Sequence, residues 1–204
     1  PDVIFLASPN NPTGTAMELN VIEAVLKAFD GIVVVDEAYA EFRRPGVASA
    51  VTLVAGHPRL VVTRTMSKAF GFAGARVGYL VANPELVNAL RIVRLPYHLS
   101  SVTQSVALTA IAHSAGLKEQ VRVIRAERDA LMDWFDANGY ETTHSDANFV
   151  MFGRFADRKA VWNGLVSEGV LVREVGPEGY LRVSIGTPSE MEQFKAALQK
   201  VDPR

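Results

Sequence analysis

The apolar positions of the chain fall into two rhythms. Val3–Ala7, Ile32–Val35, Leu60–Thr63 and Val77–Val81 are short runs with apolar side chains on consecutive positions and many β-branched residues. Such runs predict strands buried on both faces of a sheet. Between the first two, Leu19, Ile22, Val25, Leu26 and Phe29 recur at three- and four-residue intervals and mark one helix face. Asp30-Gly31 stops that helix, because glycine accepts the backbone turn that closes a helix end. Strand, helix, strand at this spacing predicts the crossover units of an α/β sheet. Pro84 opens a further helix at a position where its missing N–H costs nothing. Val102–Ser114 predicts another, and the longest runs from Lys118 to Asn138 with Val121, Ile124, Leu131, Met132 and Phe135 along one side. Trp134 and Phe135 on this helix read as core residues.

After Gly139 the pattern changes. Asn148–Phe152, Val170–Arg173 and Leu181–Ile185 predict strands, with helices over Lys159–Ser167 and Ser189–Val201. The change predicts a domain boundary near the start or middle of the long helix, taken as one domain over residues 1–115 and a smaller one over 116–204.

With 204 residues the chain is long enough to bury a core, as one large domain or two small ones. The formal net charge of -1 provides no field to recruit nucleic acid or an anionic membrane surface. No apolar run is long enough to span a bilayer. Cysteine is absent, which excludes disulfide scaffolds and zinc-thiolate sites and fits a reducing cytoplasm. His57, His98, His113 and His144 are scattered without metal-ligand spacing, so no metal is expected and His98 reads as a polar loop residue. Pro1-Asp2 leads straight into the first strand without an initiator Met, and the sequence reads as part of a longer chain.

Three segments carry candidate chemistry, each where a strand gives way to a loop, the edge at which α/β sheets bind ligands. Ser8-Pro9-Asn10-Asn11-Pro12-Thr13-Gly14 is a turn that presents two side-chain amides, or a plain Asn-Pro turn. Val35-Asp36-Glu37-Ala38-Tyr39 puts a carboxylate directly after four apolar residues, predicting Asp36 at a buried strand end where it needs a cation or donors. A protonated pyridinium nitrogen is one such partner; a helix cap, a structural carboxylate or a metal-binding group suits the pattern equally. A nucleotide hydrolase is weakened by the lack of a G-x-x-x-x-G-K-[ST] loop.

The third segment runs from Thr63 to Gly78. Lys68 stands next to Ser67 and near Thr65, with three glycines following and Arg76 eight positions on. A lysine amine forms a Schiff base with an aldehyde. Hydroxyls and a guanidinium fork bind a phosphate, and glycines let backbone approach it. A lone lysine is normally a solvated charge, but this grouping is not the surroundings of one. With no G-x-S-x-G elbow, Ser67 is a poor hydrolase nucleophile.

Taken together, these segments resemble the fold-type I pyridoxal-phosphate aminotransferases, and within them the histidinol-phosphate aminotransferases of histidine biosynthesis. The stretch Ser67-Lys68-Ala69-Phe70-Gly71-Phe72-Ala73-Gly74 carries the superfamily resemblance. Val93–Ser101, Ser145–Phe149 and Tyr180–Thr187 carry that to the histidinol-phosphate branch. The resemblance covers essentially the whole chain, as the C-terminal portion of such an enzyme. It implies an α/β fold: a three-layer α/β/α large-domain portion, with Val77–Val81 antiparallel to otherwise mainly parallel strands, followed by a small α+β C-terminal domain.

By the same resemblance, Lys68 holds pyridoxal 5'-phosphate and later moves the proton between substrate and cofactor carbons. Asp36 pairs with the pyridine nitrogen, and Tyr39 and Asn11 bond the phenolic oxygen. Thr65, Ser67 and Arg76 hold the phosphate. Arg182 and Arg173 receive the substrate's anionic group, their alternative being surface ion pairs. The implied reaction exchanges histidinol phosphate, a phosphorylated amino alcohol, and 2-oxoglutarate for imidazole acetol phosphate and glutamate, in a cytoplasmic homodimer. The family's N-terminal portion supplies further phosphate donors, a ring-stacking aromatic residue and a tyrosine that reaches across the dimer. These lie outside this sequence, so the site is expected to be incomplete on its own. Alternatives are an aromatic amino-acid aminotransferase or threonine-phosphate decarboxylase on the same scaffold, or a catalytically silent fragment. A nicotinamide-binding Rossmann domain is disfavoured because no G-x-G-x-x-G follows the first strand.

Overall fold

In the computed structural model, which describes residues 1–204, the apolar runs of the first half fold as β1 (Val3–Ala7), β2 (Ile32–Asp36), β3 (Leu60–Thr65) and β4 (Gly78–Ala82). The helices there are α1 (Leu19–Ala28), α2 (Pro84–Val93) and α3 (Ser101–Ala112). Next come α4 (Ser114–Ala137), β5 (Glu141–Thr142), β6 (Phe149–Gly153), α5 (Arg158–Ser167), β7 (Tyr180–Ser184) and α6 (Pro188–Val201). The chain divides into two compact units: one of Pro1–Pro9 with Ala16–Val121, the other of Asn10–Thr15 with Arg122–Arg204.

In the first unit the sheet order is β1-β2-β3-β4, with β1, β2 and β3 parallel and β4 antiparallel to β3. The α/β class expected from the alternating rhythms is the class observed. Ile22 and Leu26 of α1 pack on Val33, Val35, Leu60 and Val62, which the strand period places on one sheet face. The opposite face of β1 departs from expectation. Its run is not buried on both faces: Val3, Phe5 and Ala7 are exposed, Phe5 by 75%, while Ile4 and Leu6 are half-buried. The reason is that β1 is an edge strand whose alternate side chains point away from α1.

The second unit holds an antiparallel sheet, β5-β6-β7. The C-terminal part of α4, with α5 and α6, covers a core containing Leu131, Phe135, Phe152, Leu165, Leu181, Phe194 and Leu198. Phe135 stacks on Phe152 at 4.8 Å between centroids, and Phe194 meets Phe152 edge-on at 5.5 Å. Because Phe152 is fully buried, Phe152→Ala should destabilise this unit by about 3–5 kcal/mol. Both tryptophans of the chain, Trp134 and Trp162, belong to this unit. Their fluorescence in a urea titration therefore reads the loss, and an unshifted transition refutes it.

The run Val170–Arg173 does not form the strand its composition predicts. It joins β7 through one isolated bridge, in which Arg173 N–H donates to the Arg182 carbonyl at 2.9 Å and Arg182 N–H to the Arg173 carbonyl at 2.8 Å. Val170 N–H is spent closing α5 onto the Leu165 carbonyl.

Candidate active site

In the first unit a cavity of about 420 Å³ opens where β2 and β3 end, lined by Asp36, Thr63, Thr65, Ser67, Lys68 and Arg76 among others. The parallel register sets Ala7, Asp36 and Thr63 in one row, so Asp36 at the end of β2 and Thr63 near the end of β3 stand side by side at the cavity. Asp36 Oδ1 accepts from the Ala38 N–H at 3.1 Å and the Thr63 hydroxyl at 3.2 Å. Beyond β3 the chain loops from Met66 to Arg76, pinned by Met66 N–H to the Val77 carbonyl and Phe72 N–H to the Met66 carbonyl, both 3.0 Å. Gly71, at φ 66, permits the turn that follows Lys68. Thr65 Oγ1 accepts from the Ser67 N–H at 3.1 Å, orienting both hydroxyl residues in one short segment. Arg76 has left-handed backbone, φ 52, and donates from Nη1 to the Ala73 carbonyl at 3.1 Å. Lys68 Nζ lies 5.4 Å from the centroid of the buried Tyr39 ring.

One expectation is corrected here. Asp36 is exposed; the buried carboxylate is its neighbour Glu37, at 1% exposure. Strand alternation explains this, since Glu37 continues the face of Val33 and Val35 that α1 covers, and Asp36 the face that α1 does not. The period-2 signal was present in the sequence, but the covered face was not.

The cavity wall is chemically divided. One carboxylate, Asp36, faces a group of donors: the hydroxyls of Thr65 and Ser67, the Lys68 amine and the Arg76 guanidinium. Such a wall suits a molecule with a cationic or protonated end, a phosphate-like anion and a group that reacts with an amine.

The second unit assembles the other candidates. Arg182, on β7, donates from Nη1 to Asn11 Oδ1 at 2.5 Å, and its guanidinium sits 4.5 Å over the Phe149 ring. Arg173, across the bridge, lines with Arg182 a cleft of about 380 Å³ that also includes Trp162, Leu171 and Ser184. Asn11 reaches Arg182 because its turn is built into this unit. The Thr143 hydroxyl donates to the Thr13 carbonyl at 2.5 Å, and Asp146 N–H to the Gly14 carbonyl at 2.8 Å. Gly14 has φ 78, and a Cβ there would stand 2.3 Å from Ser145 Oγ, so this close approach needs glycine. The structure thus brings Asn11 together with Arg173 and Arg182, and Asp36, Tyr39, Thr65, Ser67, Lys68 and Arg76 together in the first unit. His98 is exposed in the loop between α2 and α3, and no group of three or more His, Asp or Glu is arranged to hold a metal ion. No helix is long and apolar enough to cross a membrane.

The chain and its fold have known counterparts. The chain matches the family of class I and II aminotransferases over residues 1–198 and belongs to that family. Over 198 residues it is 60% identical to the histidinol-phosphate aminotransferase of Thermobifida fusca (strain YX), covering 97% of this chain and 54% of that protein. Over 201 residues it is 59% identical to histidinol-phosphate aminotransferase 3 of Burkholderia lata, covering 98% and 54%. The crystal structure of histidinol-phosphate aminotransferase from Sinorhizobium meliloti in complex with pyridoxal-5'-phosphate is similar to it with a TM-score of 0.85 and 28% identity, over 98% of this chain and 57% of that one. The chain spans about half the length of the curated relatives it matches.

Proposed function

We propose that this chain is the lysine-bearing portion of a pyridoxal-phosphate-dependent aminotransferase that exchanges the amino group between histidinol phosphate and 2-oxoglutarate, giving imidazole acetol phosphate and glutamate in L-histidine biosynthesis. The observation that carries the reading is the convergence of Asp36, Thr65, Ser67, Lys68 and Arg76 on one cavity. The relatives named above, at 60% and 59% identity, support the substrate pair.

The residues fit the cofactor by their donor chemistry. The cavity's volume of about 420 Å³ lies within the range of small-ligand sites, roughly 300–1,000 Å³. Thr65, Ser67 and Arg76 hold a phosphate, the guanidinium supplying charge-assisted bonds that hydroxyls alone do not. Asp36 pairs with a protonated ring nitrogen, and Ala38 N–H and the Thr63 hydroxyl keep its carboxylate oriented. Tyr39 would bond the phenolic oxygen, the role that the family resemblance also gives Asn11. When bound, pyridoxal phosphate supplies the electron sink for the substrate's amino carbon and carries the amino group from donor to acceptor. The Lys68 amine would take the proton from the substrate carbon that bears the amino group and hold it for return, as the one side-chain amine on the cavity wall. Arg182, held by Asn11 and stacked on Phe149, receives the substrate's carboxylate or phosphate, and Arg173 is a second such cation.

In this reading residues 1–115 belong to the three-layer α/β/α cofactor-binding domain and 116–204 form the small α+β C-terminal domain. The working protein is a cytoplasmic homodimer with small-molecule substrates. The test is an absorbance spectrum with added pyridoxal phosphate, followed by borohydride reduction and peptide mapping. A label on Lys68 and turnover of histidinol phosphate over phenylalanine and threonine phosphate are expected, in this chain or in a longer chain that carries the preceding portion; a label elsewhere, or none in either, overturns it. Arg182→Lys keeps the charge but loses the planar fork. It should raise KM for the anionic substrates roughly ten- to a hundredfold, the scale of a lost hydrogen bond to a charged group, while cofactor labelling is unchanged. An unaltered KM removes Arg182 from substrate binding.

A further inference from the structure

Glu37 is held by donors from four residues. Its carboxylate accepts from Arg43 Nη1 at 3.1 Å, Arg64 Nε at 2.8 Å, the Ser49 hydroxyl at 2.8 Å and the Ala50 N–H at 2.7 Å. Arg64 also reaches Glu41 at 2.9 Å and Ser49 at 3.0 Å. Two carboxylates and two guanidiniums thus form a charge-balanced network against the covered side of the sheet. Burial draws the Arg64 guanidinium down, but Glu37 and Glu41 outweigh it and hold it above its ordinary value. Stability is a weak reason for such a network, because the cost of desolvating buried charges offsets most of their attraction.

Its position in the chain gives a better reason. Glu37 follows Asp36, and Arg64 lies between Thr63 and Thr65. Strand alternation sends Asp36, Thr63 and Thr65 to one face, and Glu37 and Arg64 to the other. The Glu37–Arg64 pair therefore ties the ends of β2 and β3 together behind the cavity, where Glu37 N–H also donates to the Thr63 carbonyl at 2.9 Å. Arg43, donating to both Glu37 and the Ala48 carbonyl, fastens the following segment to the same point. We infer that Glu37 is a positioning residue for Asp36: by clamping the β2 and β3 ends it keeps the Asp36 carboxylate against the Thr63 hydroxyl and aimed into the cavity. This rests on the reading that Asp36 meets the ring nitrogen of pyridoxal phosphate.

Glu37→Gln keeps the shape but sets an amide N–H2 against donors. The measurement is fluorescence titration with pyridoxamine phosphate, which has no aldehyde to bond Lys68, and with its 1-deaza analogue, which has no ring nitrogen. Glu37→Gln should weaken pyridoxamine phosphate about tenfold, within the range set by one charged hydrogen bond, and leave the 1-deaza analogue within about twofold. Asp36→Asn should show the same selectivity, and the double variant little further loss. Equal weakening of both ligands means that Glu37 only supports the cavity, and overturns the inference; so does unchanged binding in a folded variant. If Glu37→Gln does not fold, as circular dichroism will tell, Ser49→Ala removes a single donor and should give a smaller loss with the same selectivity; its absence there overturns the proposal equally. If Asp36→Asn itself does not distinguish the ligands, the cofactor reading fails and this inference with it. Selectivity in Asp36→Asn but not in Glu37→Gln or Ser49→Ala sinks the inference alone.

Discussion

Lys68→Ala should eliminate covalent capture of pyridoxal phosphate and lower amino transfer roughly ten-thousandfold, the upper range for losing a general acid–base group. The substitution removes the only side-chain amine on the cavity wall and leaves the other groups in place. Thr65 keeps its bond to the Ser67 N–H, and Arg76 its bond to the Ala73 carbonyl, since neither involves the lysine. Non-covalent affinity for pyridoxamine phosphate should therefore persist within a few-fold. Lys68 is exposed, so truncation creates no cavity, and stability should change by no more than about 0.5 kcal/mol. Borohydride reduction and peptide mapping of the variant decide the matter. Stoichiometric label on another lysine would show that Lys68 is not the carrier, whatever happens to turnover.

Asp36→Ala should be nearly as damaging to turnover and more damaging to cofactor affinity. It removes the one carboxylate of the cavity wall, and with it the group that, in the proposed function, would keep a ring nitrogen protonated. Without that charge the bound ring would be a weaker electron sink, and kcat should fall about a hundredfold or more, a scale comparable with other electrostatic groups that meet developing charge. The fold should tolerate the change, because the donors left behind, Ala38 N–H and the Thr63 hydroxyl, sit where water reaches them. Asp36→Asn separates charge from shape: it retains an acceptor oxygen, yet should behave like the alanine variant if charge is what matters. Unchanged kcat in either variant refutes the assignment of Asp36.

The contrast between these residues and Glu37 shows which parts of the site local pattern encodes. The Lys68 loop could be read directly, because hydroxyls, glycines and an arginine at fixed offsets are a local arrangement. So was the α/β class, which follows from four apolar runs and a three-four helix face. The helix boundaries at Pro84 and Gly139 follow from backbone chemistry confined to a few residues, whereas α1 ends earlier than Asp30-Gly31, at Ala28, with Phe29 extended and Gly31 not left-handed. The antiparallel direction of β4 and the parallel pairing of β1, β2 and β3 agree with what the family resemblance implied.

Other features depended on partners distant in sequence. Asn11 meets Arg182, 171 positions away, because the Asn10–Thr15 turn is fastened to the second unit by Thr143 and Asp146. Val170–Arg173 has the composition of a strand but makes a single bridge, since helix closure takes the Val170 N–H. Alternation alone determines that Asp36 and Glu37 point opposite ways. Only the packing of α1 on Val33 and Val35 decides which of the two is buried, and hence which is free to face a ligand and which is locked behind it.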